Sequence, residues 1–384
     1  MEPTRRKWLA GAGGLLAAGA LTLVLPASGR GKQVVALGGQ AFGSYWRATV
    51  PSGTDEAVVR GLVDSTVEAV DRSMSPFRPN SEISRFNAMK STEPTSVSEP
   101  FQNVVAESLR IAALSGRAFD PTVGPLVNRY GFGPIRGKAG GSLSDIEIGD
   151  GTILKASPEV TLDLCGIAKG YTLDRIATAL TVLGIKDFVV ELGGEVFARG
   201  RHPHGRRWRI AIEAPIPGAG AAQRIVHLDG QALATSGDTV NGFSYAGKRY
   251  SHIIDMRRSV PVDDDVASVS VIARNAMQAD ALATALMVMG PRRGSAFAAK
   301  YNISTLMLVR HGAGIREVAV AGFRRFLTVS GTPMATVILS IVIVLLAAGG
   351  LAVGMLFGRA PIRGSCGGLA CRNDTGCEGC SRHR

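Results

Sequence analysis

Two oxygen-bearing side chains, Asp280 and Thr284, are the clearest candidates for a metal site in this sequence. They stand four positions apart in the apolar run 276–289, whose periodicity predicts a helix that ends at Gly290 and Pro291. Residues spaced by four share one face of a helix, and a carboxylate beside a hydroxyl offers the hard oxygen ligands that Mg²⁺ prefers. A surface aspartate and a threonine bonded to its own helix would have the same spacing, so spacing alone leaves the metal site open.

A second polar group lies in the glycine-rich segment DLCGIAKGYTLD, residues 163–174. Glycines at a strand-to-helix junction expose backbone N–H groups, and these groups together with the helix N-terminus favour a pyrophosphate. Lys169 adds a positive charge, while Cys165 is expected to be a small buried residue and not a nucleophile. An ordinary turn has the same composition, so other residues must supply the context for a phosphate site.

One histidine, His252, is the candidate general base. It lies in the segment SHIIDMR, residues 251–257, with Asp255 three positions later. A neutral imidazole can take the proton from an attacking hydroxyl, and a nearby carboxylate can orient the ring. A hydrogen-bonded structural histidine is the alternative.

Composition and charge argue against two broad classes of protein. With 46% hydrophobic and 6% aromatic residues among 384, the chain can build a globular core, which argues against global disorder. The net charge of +12 is carried by scattered arginines, many of them near the two ends, without a basic stripe interleaved with aromatic residues. This pattern argues against nucleic-acid binding, whereas basic flanks beside apolar segments are typical of membrane topology.

Both ends of the chain carry apolar segments with basic flanks. Residues 1–31, with Arg5 and Arg6 ahead of a mildly apolar run, predict a twin-arginine export signal, and a general secretory signal or an N-terminal anchor would share the pattern. Residues 334–357 contain no charge and are long enough to span a bilayer, and Arg359 follows directly. We therefore expect a protein of the cytoplasmic (inner) membrane, with one C-terminal transmembrane helix, a periplasmic domain and a cytoplasmic tail.

The tail, residues 358–384, is rich in cysteine. Its four thiols belong to Cys366, Cys371, Cys377 and Cys380. In a reducing cytoplasm these thiolates are potential ligands for iron or zinc, although only the last pair has a common metal-binding spacing. A flexible tail with unliganded thiols is the alternative.

Residues 32–320 predict a single large domain of mixed α/β or α+β class, followed by a linker at 321–333. Strand-like patterns occur at 34–37, 45–50, 188–191, 208–212, 224–228 and 268–272. Helical periodicity occurs at 55–73, 99–113, 168–183 and 276–289. Because strands and helices do not alternate regularly, we do not expect a doubly wound parallel sheet.

Six segments of this domain together resemble the ApbE family of FAD:protein FMN transferases. In the family's order they are MSPFRPNSEISRFN (74–87), FDPTVGPL (119–126), DLCGIAKGYTLD (163–174), VELGGEV (190–196), SHIIDMR (251–257) and AMQADALATALMVMG (276–290). The resemblance extends over most of residues 34–310, so it is much more specific than any single motif. It implies an ApbE-like domain that uses Mg²⁺ and takes FAD as its substrate.

The resemblance also implies roles for individual residues. Mg²⁺ is expected on Asp280, Thr284 and the carbonyl of Ala168, while His252 and Asp255 are expected to be catalytic. The residues expected to bind FAD are Phe42, Phe77, Arg78, Pro79, Asp120, Thr122, Gly166, Lys169, Gly193, Gly194 and Ile253. A phenylalanine stands at position 77, where the family often has tyrosine, so an aromatic face remains for stacking while any role of a phenol hydroxyl is lost.

The C-terminal segment carries a second resemblance. GMLFGRAPIRGSCGGLAC, followed by CEGC, is similar to NqrM, a protein associated with maturing the iron centre of the sodium-translocating NADH:quinone oxidoreductase (Na⁺-NQR). The two resemblances imply iron on the tail cysteines and, as partners, acceptor subunits of a membrane redox complex of the Na⁺-NQR or Rnf type. Two alternatives stay open: an FAD-binding or FAD-hydrolysing protein that releases FMN and AMP, and a membrane-tethered metal-binding assembly factor.

Overall fold

The computed structural model describes residues 33–138, 141–216, 220–238, 242–245, 248–263, 265–312, 314–328 and 341–343. The chain divides into two units after Thr328, and the first of them holds the fold described below. The predicted export signal and the four tail cysteines lie outside the described residues. Of the predicted span 334–357 only 341–343 are described, as helix. Among the described residues, no helix combines the length and the apolar character needed to cross a membrane.

The described part of the first unit contains six α-helices and seventeen strands. The helices are α1 (Glu56–Met74), α2 (Glu82–Ala88), α3 (Glu99–Leu114), α4 (Gly124–Arg129), α5 (Ala168–Val182) and α6 (Ala276–Lys300). The strands are β1 (Val34–Ala41), β2 (Ser44–Pro51), β3 (Thr95–Ser96), β4 (Ile146–Ile148), β5 (Thr152–Lys155), β6 (Phe188–Leu192), β7 (Glu195–Arg199), β8 (Trp208–Glu213), β9 (Ala222–Leu228), β10 (Gln231–Gly237), β11 (Gly242–Tyr245), β12 (Lys248–Ser251), β13 (Ile254–Asp255), β14 (Val260–Pro261), β15 (Val266–Ala273), β16 (Ser304–His311) and β17 (Gly314–Val320). Two 3-10 turns cover Leu143–Asp145 and Phe323–Phe326.

Eight of these strands form a central sheet in the order β1-β2-β6-β7-β10-β15-β16-β17. Every neighbouring pair in it is antiparallel. The helices are not needed as parallel crossovers, so they can gather on one face, which agrees with the mixed class expected from the irregular order of elements.

The central sheet separates the cores on its helical face from the core on its hairpin face, because side chains alternate between the two faces. On β16, Met307 and Val309 pack with α6, whereas Leu306 and Leu308 pack with the β8–β9 hairpin. The same alternation on β6 sends Val190 towards α1 and α5. The described part of the first unit therefore has three layers: helices, sheet and hairpin.

Helices α5 and α6 approach unusually closely at Gly170. A Cβ placed on this glycine would lie 2.3 Å from the backbone oxygen of Ala276, so no larger residue fits without separating the helices. Asp174, one turn further along α5, accepts hydrogen bonds from the N–H groups of Ala276 and Met277 at 2.8 and 2.9 Å. Both contacts lock the first turn of α6 against α5.

The predicted stop of this helix at Gly290 and Pro291 is only partly correct. Gly290 does leave the helical conformation, with φ 72°. Helical structure resumes immediately and continues to Lys300, because proline is well accommodated in the first turn of a helix. Gly290 therefore makes a kink between two helical segments.

The domain also extends further than the predicted boundary at 320. Phe323 is fully buried in the core beneath the β8–β9 hairpin. Leu327 pairs with Val226 of β9, and the backbone N–H of Thr328 donates to Ile225 O at 2.8 Å. The segment 321–328, predicted as the start of a linker, is thus part of the packed domain.

Candidate active site

The motifs found in the sequence are joined to one another by specific hydrogen bonds. The side chain of Asn87 bonds both the carbonyl and the N–H of Leu162, each at 2.8 Å. The next residue, Asp163, donates its backbone N–H to Pro121 O at 2.7 Å. Segments 74–87, 119–126 and 163–174, far apart in sequence, therefore meet beside α5.

The turn that leads into α5 lies directly over α6. A Cβ placed on Gly166 would lie 3.3 Å from the ring of Phe119 and 3.4 Å from Thr284 Oγ1. Ala168 follows in the first turn of α5, where its carbonyl accepts a hydrogen bond from Thr172 Oγ1 at 2.8 Å. Gly166, Ala168 and Thr284, predicted on separate segments, are thus brought together.

Asp280 is the buried carboxylate at the centre of this arrangement. Its side chain is 4% exposed, and its Oδ2 accepts the backbone N–H of Gly170 at 3.0 Å. Burial raises the pKa of Asp280, while Lys169 and the N–H of Gly170 act in the opposite direction. One turn further, Thr284 Oγ1 lies 3.2 Å from Ser236 Oγ on β10. Both predicted side-chain metal ligands therefore face the junction of α5 with α6.

Lys169 joins this group to the central sheet through an ion pair with Glu195 at the start of β7. Burial disfavours the charge of Lys169, but Glu195 and Asp280 outweigh it and raise the lysine pKa to about 12. Burial also raises the pKa of Glu195 to about 7, against the effect of Lys169. Glu195 Oε2 is buried and has no hydrogen-bond partner among the described residues. Lys169 thus interacts electrostatically with two buried carboxylates, those of Glu195 and Asp280.

These groups suit a divalent cation. Asp280, Thr284 and the Ala168 carbonyl supply only oxygen donors, the preferred ligands of Mg²⁺. Two buried carboxylates facing one lysine leave a negative excess when both are ionised, and a cation would offset it. We conclude that the residues present fit Mg²⁺.

The turn between β6 and β7 is shaped by Gly193 and Gly194. Both have positive φ, 56° and 99°, a conformation that favours glycine. The N–H of Gly193 donates to Tyr45 O at 2.9 Å, and a Cβ placed on it would lie 3.7 Å from Lys169 Cδ. The two glycines therefore lie beside the lysine, as expected for a close backbone approach.

The β1–β2 turn lies on the other side of Gly193. A Cβ placed on Gly193 would lie 3.5 Å from Ser44 Oγ. Phe42 and Gly43 make this two-residue turn with φ 50° and 72°, the pattern of a type I′ hairpin. Phe42 packs against the cores on the helical face, so it borders the same group of motifs.

Asp120 and Thr122 use their polar atoms within their own loop. Asp120 Oδ1 accepts the N–H and the hydroxyl of Thr122 at 2.8 and 2.7 Å. Arg117 Nε donates to the second oxygen of Asp120 at 2.6 Å, and its other nitrogen reaches Gly141 O at 2.8 Å. Their contribution to the structure is to hold the 119–126 segment, while their role at FAD stays a prediction.

The loop with Phe77, Arg78 and Pro79 is anchored to α1. Arg78 pairs with Glu68 at 3.0 Å and with Asp71 at 2.8 Å. Pro79 is exposed, and the Phe77 ring is 66% exposed. Such exposure of an aromatic ring is what a stacking position requires in the absence of its ligand, and this position too stays a prediction.

His252 follows β12 and is half-buried beside Phe132, with ring centroids 6.3 Å apart in an edge-on arrangement. Ile253 is buried in the core shared with α6. Asp255 is 3% exposed, and its Oδ1 accepts the backbone N–H of Arg257 at 3.0 Å. A further contact joins Arg257 Nη2 to Asp255 Oδ2 at 3.2 Å, so Asp255 orders its own turn.

Two expectations about the 163–174 segment need correction. Cys165 is exposed and not buried as expected, although its neighbours Leu164 and Ile167 lie in the core. In addition, the turn does not offer all its amides to a ligand. The N–H of Ala168 donates to Leu164 O at 2.9 Å, and that of Gly170 is bound by Asp280.

Sequence reasoning missed Glu195 and Ser236 as site residues. Glu195 stands inside the VELGGEV segment, and a carboxylate directly after a Gly-Gly turn was a usable signal. Ser236 lies in a strand that had not been predicted.

A separate surface groove, lined in part by Pro51 and Leu183, lies beyond the C-terminal end of α5. It is about 20 Å from the first turn of that helix and is not part of this site.

Comparison with known proteins agrees with this geometry. Residues 42–307 match the ApbE family. The chain is 38% identical over 329 residues to the FAD:protein FMN transferase of Vibrio cholerae serotype O1, a match that covers 82% of this chain and 98% of the relative. It is 32% identical over 322 residues to the FAD:protein FMN transferase of Escherichia coli K12, covering 79% and 92% of the two chains.

Solved structures share the fold. The flavin transferase ApbE from Vibrio cholerae is similar with a TM-score of 0.70 and 37% identity, over 77% of this chain and 99% of that one. The apo form of the flavinyl transferase ApbE from Pseudomonas stutzeri is similar with a TM-score of 0.70 and 35% identity, over 77% and 97% of the two chains. The motifs, their arrangement around α5 and α6, and these likenesses agree: the chain belongs to the ApbE family.

Proposed function

We propose that this protein is an FAD:protein FMN transferase, which moves the FMN portion of FAD onto a threonine or serine of an acceptor protein and releases AMP. The observation that carries the proposal is the convergence of Asp280, Thr284 and Lys169 at the junction of α5 and α6. The relatives that bear this activity by name match most of the chain.

Asp280 and Thr284, with the carbonyl of Ala168, would hold Mg²⁺. When bound, the ion supplies positive charge that offsets the pyrophosphate of FAD and helps to fix its position. Lys169 adds a second positive charge, held in place by Glu195. Gly193 and Gly194 leave room for the substrate beside the lysine, since neither carries a side chain.

The transfer itself exchanges the phosphoanhydride bond of FAD for a phosphoester bond to the acceptor. The acceptor hydroxyl oxygen forms a bond to the phosphorus on the riboflavin side of FAD, the bond from that phosphorus to the bridging oxygen breaks, and AMP leaves. An imidazole nitrogen of His252 takes the hydroxyl proton. In reactions of this kind, positioning and charge neutralisation contribute most of the rate. The buried charged groups around Asp280 support a large contribution from charge neutralisation at this site.

Product analysis tests this reaction against hydrolysis. The domain 33–328 is incubated with FAD, Mg²⁺ and a candidate acceptor domain, and AMP and FMN are separated by chromatography. A transferase releases AMP only when the acceptor is present and releases no matching amount of FMN. Equal amounts of AMP and FMN without acceptor would instead establish an FAD hydrolase and contradict the proposal.

We further propose that the protein is tethered to the inner membrane by residues 334–357, with the ApbE domain in the periplasm and the cysteine tail in the cytoplasm. Two sequence features support it: the uncharged run and the arginines that follow it. Protease added to intact spheroplasts should digest the domain and leave the tail protected. Digestion of the tail but not of the domain would reverse the topology.

The acceptors proposed are subunits of a membrane redox complex of the Na⁺-NQR or Rnf type, and the tail is proposed to deliver iron to such a complex. The NqrM-like pattern of Cys366, Cys371, Cys377 and Cys380 supports this part. The full chain, purified anaerobically, should bind iron, and Cys366→Ser with Cys371→Ser should lower the iron content of the complex. Unchanged iron content of the complex would refute iron delivery by the tail and would leave the proposed transferase activity unaffected.

A further inference from the structure

The chain leaves the folded domain at Thr328, beside strand β9. Its backbone N–H donates to Ile225 O at 2.8 Å, and its hydroxyl lies 3.2 Å from His227 Nε2. The preceding residue, Leu327, pairs with Val226. These contacts fix the exit point on the β8–β9 hairpin, across the central sheet from the site at α5 and α6.

Three arginines surround this exit. Arg209 lies opposite His227 in the register of β8 with β9. Burial lowers the pKa of His227, and the positive charges of Arg209, Arg207 and Arg206 lower it further. Burial and Arg209 likewise lower the pKa of Arg206. All three guanidinium groups are therefore close enough to His227 to disfavour its imidazolium form.

Two more arginines precede the exit. Arg324 and Arg325 are exposed in the turn Phe323–Phe326, and Arg325 stacks over Phe326 at 4.8 Å. We refer to Arg206, Arg207, Arg209, Arg324 and Arg325 as the exit-side arginines. None of them forms an ion pair with another described residue, whereas the nearby Arg224 pairs with Glu317 at 2.8 Å. A cluster of like charges without counter-ions favours an anionic partner.

The sequence brings this cluster near the apolar segment. Only the five residues 329–333 separate Thr328 from the uncharged run 334–357. Five residues reach about 17 Å when fully extended. The inference rests on the proposed membrane tether: when 334–357 spans a bilayer, the exit must lie within about 17 Å of the apolar core, which is the depth of the headgroup region and its counter-ion layer.

We propose that the exit-side arginines form a membrane-contacting face that binds the phosphate groups of anionic phospholipids on the periplasmic surface. The short connection in sequence keeps the exit at Thr328, and with it these arginines, near any bilayer that 334–357 spans. Because the flavin site lies on the opposite side of the central sheet, contact through this face directs the site away from the membrane. The acceptor hydroxyl must then be presented by a domain that projects from the bilayer and not at the lipid surface.

Vesicle binding by the domain 33–328 tests the proposal. All three buried cores found among the described residues lie within this range, so the domain keeps this packing without the tail. We expect it to co-sediment with vesicles containing phosphatidylglycerol but not with phosphatidylcholine alone, and to be released by salt. The variant R206Q/R207Q/R209Q should bind at least about tenfold more weakly, since each arginine near an anionic surface contributes about fivefold.

The control variant replaces two other exposed arginines, Arg292 and Arg293, which lie on the helical face of the domain. R292Q/R293Q should bind anionic vesicles as the unmodified domain does. If both variants bound anionic vesicles equally weakly, the binding would reflect general charge attraction. If the unmodified domain did not bind anionic vesicles, there would be no membrane-contacting face. Either result overturns the proposal.

The same proteins separate this inference from the proposed function. R206Q/R207Q/R209Q should transfer FMN to a soluble acceptor at the unmodified rate, because none of the three arginines contacts the α5–α6 site. If the unmodified domain transfers FMN but does not bind anionic vesicles, only the proposed membrane-contacting face is refuted. Transfer absent with vesicle binding intact refutes only the proposed reaction.

Discussion

The two faces of the central sheet differ in the burial and pairing of their charged side chains. On the helical face, Asp280 and Glu195 are buried, and burial raises the pKa of both carboxyl groups. On the hairpin face, the exit-side arginines stay near the solvent and form no ion pair with a carboxylate in the part of the chain that the structure describes. A buried charge must be paired or must bind a ligand, whereas an exposed charge acts by attraction at a distance. The first arrangement suits chemistry and the second suits docking.

The strongest way to break this comparison is to remove the buried charge on α6. Asp280→Asn keeps the shape of the side chain but loses the carboxylate, and we expect FMN transfer to fall about 1,000-fold, by analogy with the loss of a key electrostatic group in other enzymes. Steady-state transfer assays with FAD and acceptor measure it. Glu317→Gln, which removes a carboxylate paired with Arg224 on the hairpin face, should leave the rate within about twofold, as expected for an exposed pair. Comparable loss in both variants would contradict a localised site.

The contact between α5 and α6 should be nearly as sensitive. Gly170→Ala places a methyl group 2.3 Å from Ala276 O, so we expect the free energy of unfolding to fall by about 3 kcal/mol. Denaturant unfolding measures it. The control is Gly61→Ala on α1, where an added Cβ meets nothing within 4 Å; it should raise stability by about 0.5–1 kcal/mol. A neutral Gly170→Ala would show that the helices are not held as closely as described.

Local patterns were sufficient for much of the helical face. The spacing of Val59, Val63 and Val67 predicted α1, which begins at Glu56 and has these residues buried. The six motifs located the elements around α5 and α6. The same patterns could not reveal the partner of Lys169, because Glu195 lies on a strand 26 positions away and no local periodicity encodes that pairing.

The hairpin face was less accessible from the sequence. Phe323 follows a glycine, near the predicted start of a linker, and its burial depends on strands that precede it by about a hundred residues. The exit-side arginines come from two segments with no common motif, so scattered arginines in the sequence gave no sign that five of them flank one exit.

The role of Glu195 sharpens the account of the helical face. Glu195→Gln keeps the side-chain shape but removes the charge that pairs with Lys169, and we expect about a 30-fold loss of transfer with most of the effect on KM for FAD, since Lys169 would no longer be held. Glu195→Asp should recover part of the loss. A change in stability alone, with unaltered kinetics, would assign Glu195 to folding and not to substrate binding.

The contact of Asp174 with the first turn of α6 should make stability depend on pH. Burial raises the pKa of Asp174 to about 6, despite hydrogen bonds from the N–H groups of Ala276 and Met277. A carboxyl group with a folded pKa above its unfolded value stabilises fully below the unfolded pKa, and this contribution disappears as pH rises through the folded value. The stability advantage over Asp174→Asn should therefore shrink by about 1–2 kcal/mol between pH 4 and pH 6.5. Thermal unfolding of both proteins across this range measures it, and a growing advantage would reverse the assigned direction.

The smallest expected effect is on the hairpin face itself. R206Q/R207Q/R209Q should change the free energy of unfolding by less than about 1 kcal/mol, because the three side chains are near the surface and removing mutual repulsion compensates for lost contacts. Denaturant unfolding beside the R292Q/R293Q control measures it. A large loss of stability would mean that these arginines support the domain and are not reserved for a partner.

The most direct test of the central claim is the intact mass of the acceptor protein after incubation with the domain 33–328, FAD and Mg²⁺. The account predicts a mass gain of one FMN less one water, located by fragmentation at a threonine or serine, and absent when Asp280→Asn replaces the unmodified enzyme or when EDTA is present. An acceptor of unchanged mass beside intact FAD would contradict it, as would a labelled acceptor formed equally well by Asp280→Asn.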